Sequence, residues 1–242
     1  RRSVYSCRPL PPPYRPRPEA IMRINKYLRD KGYASRREAD TLVAAGRVFV
    51  NGKCAEIGAS VEESDVVEVR GESKKYIYLA YYKPRRLPTQ SVHEEDVVTQ
   101  MKKRELFPVG RLDKDSEGLL IVTNDGRLTT LILDSDNTVQ KEYLVTVREP
   151  LKKDVTKVFA KGMETEAFGK LLPAAVEILS EHTVRIGLVE GKKHQIRVML
   201  SELGYTTTSL KRVRIGPVTL GGLKPGSERP LTPKELTAFG LT

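Results

Sequence analysis

Phe107-Pro108-Val109-Gly110-Arg111-Leu112-Asp113-Lys114-Asp115-Ser116-Glu117-Gly118-Leu119-Leu120-Ile121-Val122-Thr123-Asn124-Asp125-Gly126 is the densest stretch of this 242-residue chain. Gly110 and Gly118 bracket a charged loop that runs into an apolar, strand-sized segment. Asn124-Asp125-Gly126 then turns the chain into a helical pattern. A carboxylate held in such a loop can be kept ionised by a nearby guanidinium and used as a nucleophile or base. By composition alone the same loop reads as a charged turn with a structural role. Asp115 and Asp125 read as turn residues, because short carboxylates suit turns and caps.

Outward from this stretch the pattern predicts strands over 76–82, 119–123, 141–147, 174–179, 184–188 and 213–220. It predicts helices over 97–103, 127–133, 151–160 and 194–203. Strands and helices mix without regular βαβ alternation, so the fold class is α+β with a mostly antiparallel sheet.

A smaller α-α-β unit precedes it over 22–70. Ile24, Tyr27 and Leu28 recur at helical spacing and Gly32 stops that helix. Ser35 followed by Glu38 is a capping-box pattern, and Ala39, Leu42 and Val43 make an apolar face. Val48-Phe49-Val50, the tight turn Asn51-Gly52 and Val66-Val67-Glu68-Val69 follow as strand, turn and strand. The unit is polarised, with a basic helical half and an acidic strand half. Arg36 and Arg37 sit in the first turn of the second helix, where cations oppose the helix dipole, so they suit a partner better than the fold.

Six prolines, from Pro9 to Pro18, lie among five arginines in the first twenty residues. Residues 1–21 therefore read as a disordered tail. Met22 opens the structured part. The tail reads as an upstream extension, a basic RNA-binding arm or an Arg-rich transit peptide. Residues 71–75 read as a polar linker, and 76–242 as the larger domain.

Composition narrows the function classes. Lys and Arg number 42 against 31 Asp and Glu, a net charge of +11. That points to polyanionic partners, nucleic acid first. No apolar run approaches the ~18 residues that a bilayer span needs. The two cysteines, Cys7 and Cys54, make neither a disulfide framework nor a metal spacing, which suits a reduced cytoplasmic setting. There is no P-loop, no dinucleotide glycine pattern, no H-E-x-x-H and no G-x-S-x-G. His93, His182 and His194 are scattered, so no metal site is expected.

Four motifs then occur in order. They are the segment 23–69, opening R-I-N-K-Y-L-R-D-K-G-Y-A-S-R-R-E; G-R-L-D-K-D-S-E-G-L-L-I-V-T-N-D-G at 110–126; K-E-Y-L-V-T-V at 141–147; and G-K-K-H-Q-I-R-V-M at 191–199. Together they make residues 22–239 resemble the bacterial ribosomal pseudouridine synthases of the RsuA type, with RluB, RluE and RluF, and most nearly the RluF branch. The first segment resembles an S4 RNA-binding domain.

The resemblance implies an isomerase that turns a specific uridine of ribosomal RNA, in the large subunit, into pseudouridine. It implies Asp113 as the catalytic carboxylate, acting at C1′ or taking up the 2′ proton. Tyr143 would stack on the flipped base and serve proton transfer at C5. Arg197 would pair with the aspartate. Val109, Leu112 and Leu144 are candidates for an apolar wall around the detached uracil. His194 and Gln195 read as helix-start or RNA-backbone residues. Lys26, Arg29, Arg36, Arg37, Arg47, Lys53 and Arg111 would bind RNA. The reaction breaks N1–C1′ and forms C5–C1′ without redox change or hydrolysis, so no cofactor is expected. The partner is structured ribosomal RNA, and the protein would act as a monomer with neither membrane nor metal.

Two positions depart from the family's usual pattern. Arg85-Arg86-Leu87-Pro88-Thr89-Gln90 stands where relatives often carry glycine and small residues, and Val198 stands where many carry a second basic residue. A non-catalytic S4-containing RNA-binding or ribosome-assembly factor is the alternative reading. The joint presence of Asp113, Tyr143 and Arg197 disfavours it.

Overall fold

The computed structural model describes residues 21–71, 75–134 and 139–241. The tail expected over 1–21 lies outside these, Ile21 excepted, as does most of the expected linker. The chain divides after Gly71 into two compact units.

In the first unit, helices Ile24–Asp30 and Arg36–Ala44 bury Ile24, Tyr27, Leu28, Ala39 and Val43. They share one core with Val48, Ala55 and Val61. The Ser35 hydroxyl caps the second helix by accepting from Glu38 N–H. Val48–Val50 pairs on one side with Lys53–Cys54 and on the other with Val67–Val69. The first of these pairings is a hairpin that the pattern did not resolve. Its turn is Asn51-Gly52, both at positive φ (49° and 78°), which is the Asn-Gly geometry of a tight hairpin.

The second unit is built on a sheet whose main path runs, from one edge, Ala175–Ser180, Thr183–Leu188, Lys141–Val147, Thr207–Ile215, Glu117–Thr123, Tyr78–Lys83 and Glu228–Pro230. Its described pairings are antiparallel except one: Lys211 and Arg212 run parallel to Glu117 and Gly118. At this seam Gly118 has φ +107°, and a Cβ there would lie 2.3 Å from the Arg212 carbonyl oxygen. Only glycine lets the two halves of the sheet close. Leu119, Leu120, Ile121 and Val122 beside it are wholly buried. Each contributes roughly 1.5–3 kcal/mol, which anchors the charged loop that precedes them.

The α+β, sheet-dominated architecture matches the sequence reading, with two corrections. The expected strand over 213–220 straddles a turn: the strand is Thr207–Ile215, and after Gly216-Pro217 the short strand Val218–Thr219 folds back on it. Its polar first half, Thr207-Thr208-Ser209, hid it from hydropathy. The helix expected over 151–160 begins only at Asp154. The pattern also passed over Pro233–Ala238, which Thr232 and Glu235 close with a capping box.

Asp125 caps the helix Gly126–Leu133 and is fully buried. It takes a 2.6 Å bond from the Tyr78 hydroxyl and several from Arg127. Burial alone would push its carboxyl up, but the Arg127 and Tyr78 bonds outweigh that and hold it below the ordinary carboxylate range. Asp125→Ala removes the helix cap and the buried carboxylate that Arg127 and Tyr78 bond, so urea unfolding should show a loss of about 3 kcal/mol or more at pH 7. Because the folded pKa is lowered, this contribution is present above about pH 4 and fades as pH falls through the folded value. The gap between wild type and variant should therefore close in acid.

Candidate active site

The charged loop sits between the short strand Phe107–Val109 and the buried strand Glu117–Thr123. It therefore emerges beside the parallel seam. Separated segments converge there on one cleft of about 1070 Å³. Asp113 and Arg111 come from the loop, Tyr143 from the centre of Lys141–Val147, and His194 and Arg197 from the helix Gln195–Glu202 and the residue capping it. Leu112, Leu188, Ile196 and Leu210 supply apolar wall. That volume suits a nucleotide with its neighbours.

Tyr143 is placed by strand alternation. Tyr143, Val145 and Val147 point to one face and are buried in the core that holds Leu112, Ile186 and Ile196. Leu144, expected in the wall, points to the opposite face and lines a separate hollow with Glu142 and Tyr82. That expectation is corrected by the period-two geometry of the strand. Val109 and Leu112 do line the cleft.

The partner of Asp113 also differs from the expectation. Asp113 is joined at 3.0 Å to His194 Nδ1, not to Arg197. Arg197 donates instead to the Ser116 hydroxyl at 3.5 Å, on the same loop. The cause is the backbone at the start of the helix. His194 takes a left-handed conformation, φ 58°, and its side chain makes no cap bond. That turns the imidazole towards the loop. Gln195 is buried as a brace: its amide donates to Glu190 and its carbonyl accepts from Lys192 N–H.

Three cations that the sequence reading did not assign to the site lie at it: Lys83 and Arg212 are buried and Lys141 is half-buried. Lys83 is fully enclosed, and its ammonium donates to the Pro84 and Leu87 carbonyls at 2.9 and 2.5 Å. Burial pushes its pKa down to about 8, against the pull of the Asp113 and Glu117 carboxylates. Arg212 stands opposite Tyr143 on the neighbouring strand. It donates to Leu119 O at 2.7 Å and to Arg111 O at 3.4 Å. Lys141 lines the same cleft, lowered by burial and then by the Arg212 guanidinium. The sequence signal for Lys83 was a lysine continuing a strand of Leu79, Ala80, Tyr81 and Tyr82 straight into proline.

On the first unit, Lys26, Arg36, Arg37 and Lys53 are exposed. Arg29 pairs with Asp30, and Arg47 donates to the Arg70 carbonyl, so these two are partly engaged within the fold.

Comparison with known proteins decides the class. Residues 77–202 match the RNA pseudouridylate synthase family, and residues 22–67 match the S4 domain. The chain belongs to the RNA pseudouridine synthase family. It is 38% identical, over 90% of its length and 78% of the relative's, to the Escherichia coli K12 protein named dual-specificity RNA pseudouridine synthase RluF. It is 33% identical to the Bacillus subtilis ribosomal large subunit pseudouridine synthase B, over 88% of this chain and 93% of that one. A pseudouridylate synthase crystal structure, 25% identical, superposes with a TM-score of 0.68 over 90% of this chain and 99% of that one. The enzyme is thus an RNA isomerase with an S4 domain ahead of its synthase domain. No helix among its described residues is long and apolar enough to cross a membrane.

Proposed function

We propose that this synthase isomerises a specific uridine of ribosomal RNA in the large subunit (23S), in the cytoplasm, with Asp113 as the catalytic carboxylate. The observation that carries the reading is the meeting of Asp113, Tyr143 and Arg197 on one cleft from segments 30 and more residues apart. The likeness to a large-subunit synthase supports the choice of RNA.

The chemistry follows from the groups present. The target uridine must leave its stack to be reached. Tyr143, rigid in a central strand, gives the base a platform. Asp113 acts on the ribose once N1–C1′ weakens, and it must be ionised to do so. His194 holds the carboxylate in the free protein, and Arg197 and Lys83 add positive potential around the same loop. The freed uracil turns between Tyr143 and the wall of Leu112, Leu188 and Leu210. C5 then bonds to C1′, and the C5 proton leaves as N1 regains one. Exposed Arg111 and Lys193 at the mouth suit the phosphates on either side of the target.

Pseudouridine mapping of ribosomal RNA from cells lacking this protein tests the substrate assignment. Loss of a modification in the large-subunit RNA is expected. An unchanged large subunit with a loss in small-subunit RNA or tRNA would overturn it.

In the S4 unit, Arg36 and Arg37 serve phosphate. Replacing both by Ala should weaken RNA binding and lower the slope of log K against log salt by about 1.4–1.8. Filter binding across a salt series reads this directly. An unchanged slope removes both residues from the interface.

A further inference from the structure

We propose that the buried hydroxyl of Thr89 is the positioning group for Asp113, an inference that rests on the catalytic reading of that residue. Thr89 Oγ1 donates to the Leu112 carbonyl at 2.7 Å and accepts from the Leu112 N–H at 3.0 Å. One side chain, 3% exposed and 23 residues distant in sequence, thus satisfies both backbone groups of the residue immediately before Asp113. Leu112 lies past the end of Phe107–Val109 and before Glu117–Thr123, so neither group finds a strand partner. Buried and unbonded, each would be costly.

The hydroxyl is itself held from both sides. The Thr89 carbonyl accepts from Val98 N–H, and the Pro88 carbonyl from Val97 N–H. These bonds tie the loop to the first turn of the helix Val97–Lys102, whose cap Asp96 is buried and takes Thr99 and Ser91 N–H. Upstream, the enclosed Lys83 ammonium fixes Pro84 and Leu87. Arg86 N–H donates to the Lys114 carbonyl at 2.7 Å, on the far side of Asp113. Residues 83–98 therefore form a rigid cradle that grips the loop at 112 and at 114. Asp113, between the grips, lines the cleft. The position of its carboxylate is thus set by a segment outside the group of Asp113, Tyr143 and Arg197.

Thr89→Val keeps the shape and removes both bonds. We expect kcat to fall roughly 30- to 100-fold, the scale of an ångström-sized misplacement. RNA affinity should stay within about twofold, and Thr89→Ser should restore kcat to within about threefold. Should the Val variant fail to fold, Thr89→Cys carries the same test with a weaker hydrogen-bonding group. Hydrogen exchange in the unaltered protein adds an independent reading, in which the Leu112 amide should be protected like the core strands. Wild-type kcat in the Val variant overturns the proposal. So does a loss of stability and RNA affinity in step with kcat, or a Leu112 amide exchanging as freely as an exposed loop. Asp113→Asn is assayed alongside. Turnover in that variant would remove the catalytic reading itself, whereas an inert Asp113→Asn beside a fully active Thr89→Val would remove only the role of Thr89.

Discussion

Asp113→Asn should lower turnover by at least about 10³-fold while leaving RNA affinity and the melting temperature close to wild type. The substitution keeps size and shape and removes only the negative charge. The partly exposed side chain contributes little to the core, and its contact with His194 is solvent-facing, with both partners more than a third exposed. Such a pair contributes about 0–1 kcal/mol to folding, so stability should hardly move. The asymmetry separates chemistry from scaffold: a residue that matters for turnover and not for stability acts on the substrate. Single-turnover kinetics with saturating enzyme give the rate, and gel shift gives the affinity. Turnover within tenfold of wild type would return the loop to the structural reading that its composition also allows.

Tyr143 should show the second largest effect, of a different kind. Base stacking on an aromatic side chain contributes ~1–3 kcal/mol. Tyr143→Leu should therefore cost roughly 5- to 150-fold in kcat/KM. Tyr143→Phe keeps the platform and loses the hydroxyl. Phe should hold RNA as wild type does, and any fall in its kcat measures the proton-transfer part alone. If Leu and Phe lose activity equally, the ring is no platform and the hydroxyl carries the whole effect. Because Tyr143 is buried with Val145, Ile186 and Ile196 in one core, the Leu variant needs a stability control by urea unfolding.

That Asp113, Tyr143 and Arg197 meet on one cleft was legible in the sequence, because each sits inside a compact motif. The strand Lys141–Val147 was legible to the residue, because its alternation faces one core. The two S4 helices were legible from Gly32 and from the Ser35 cap as punctuation. What escaped was whatever depends on contacts across the fold. The Asp113–His194 pair arises from a left-handed residue capping a helix, which composition does not announce. Arg212 stands in a run of cations, with Lys211 and Arg214, that reads as a basic surface, yet cross-strand register buries it behind the charged loop. Thr89 lies in a segment that departs from the family's usual pattern and carries no local signal. Leu144 was misplaced because a wall was inferred from proximity in sequence rather than from the side of the strand.

The most direct measurement is tritium release from large-subunit ribosomal RNA labelled at uridine C5, with the wild-type protein and Asp113→Asn side by side. Forming the C5–C1′ bond expels the C5 hydrogen, so release reports the isomerisation whichever uridine is the target. The account predicts release by the wild type, none above background by Asp113→Asn, and none from small-subunit RNA. Release by Asp113→Asn at the wild-type rate, or no release by the wild type from naked or partly assembled large-subunit RNA, would contradict it.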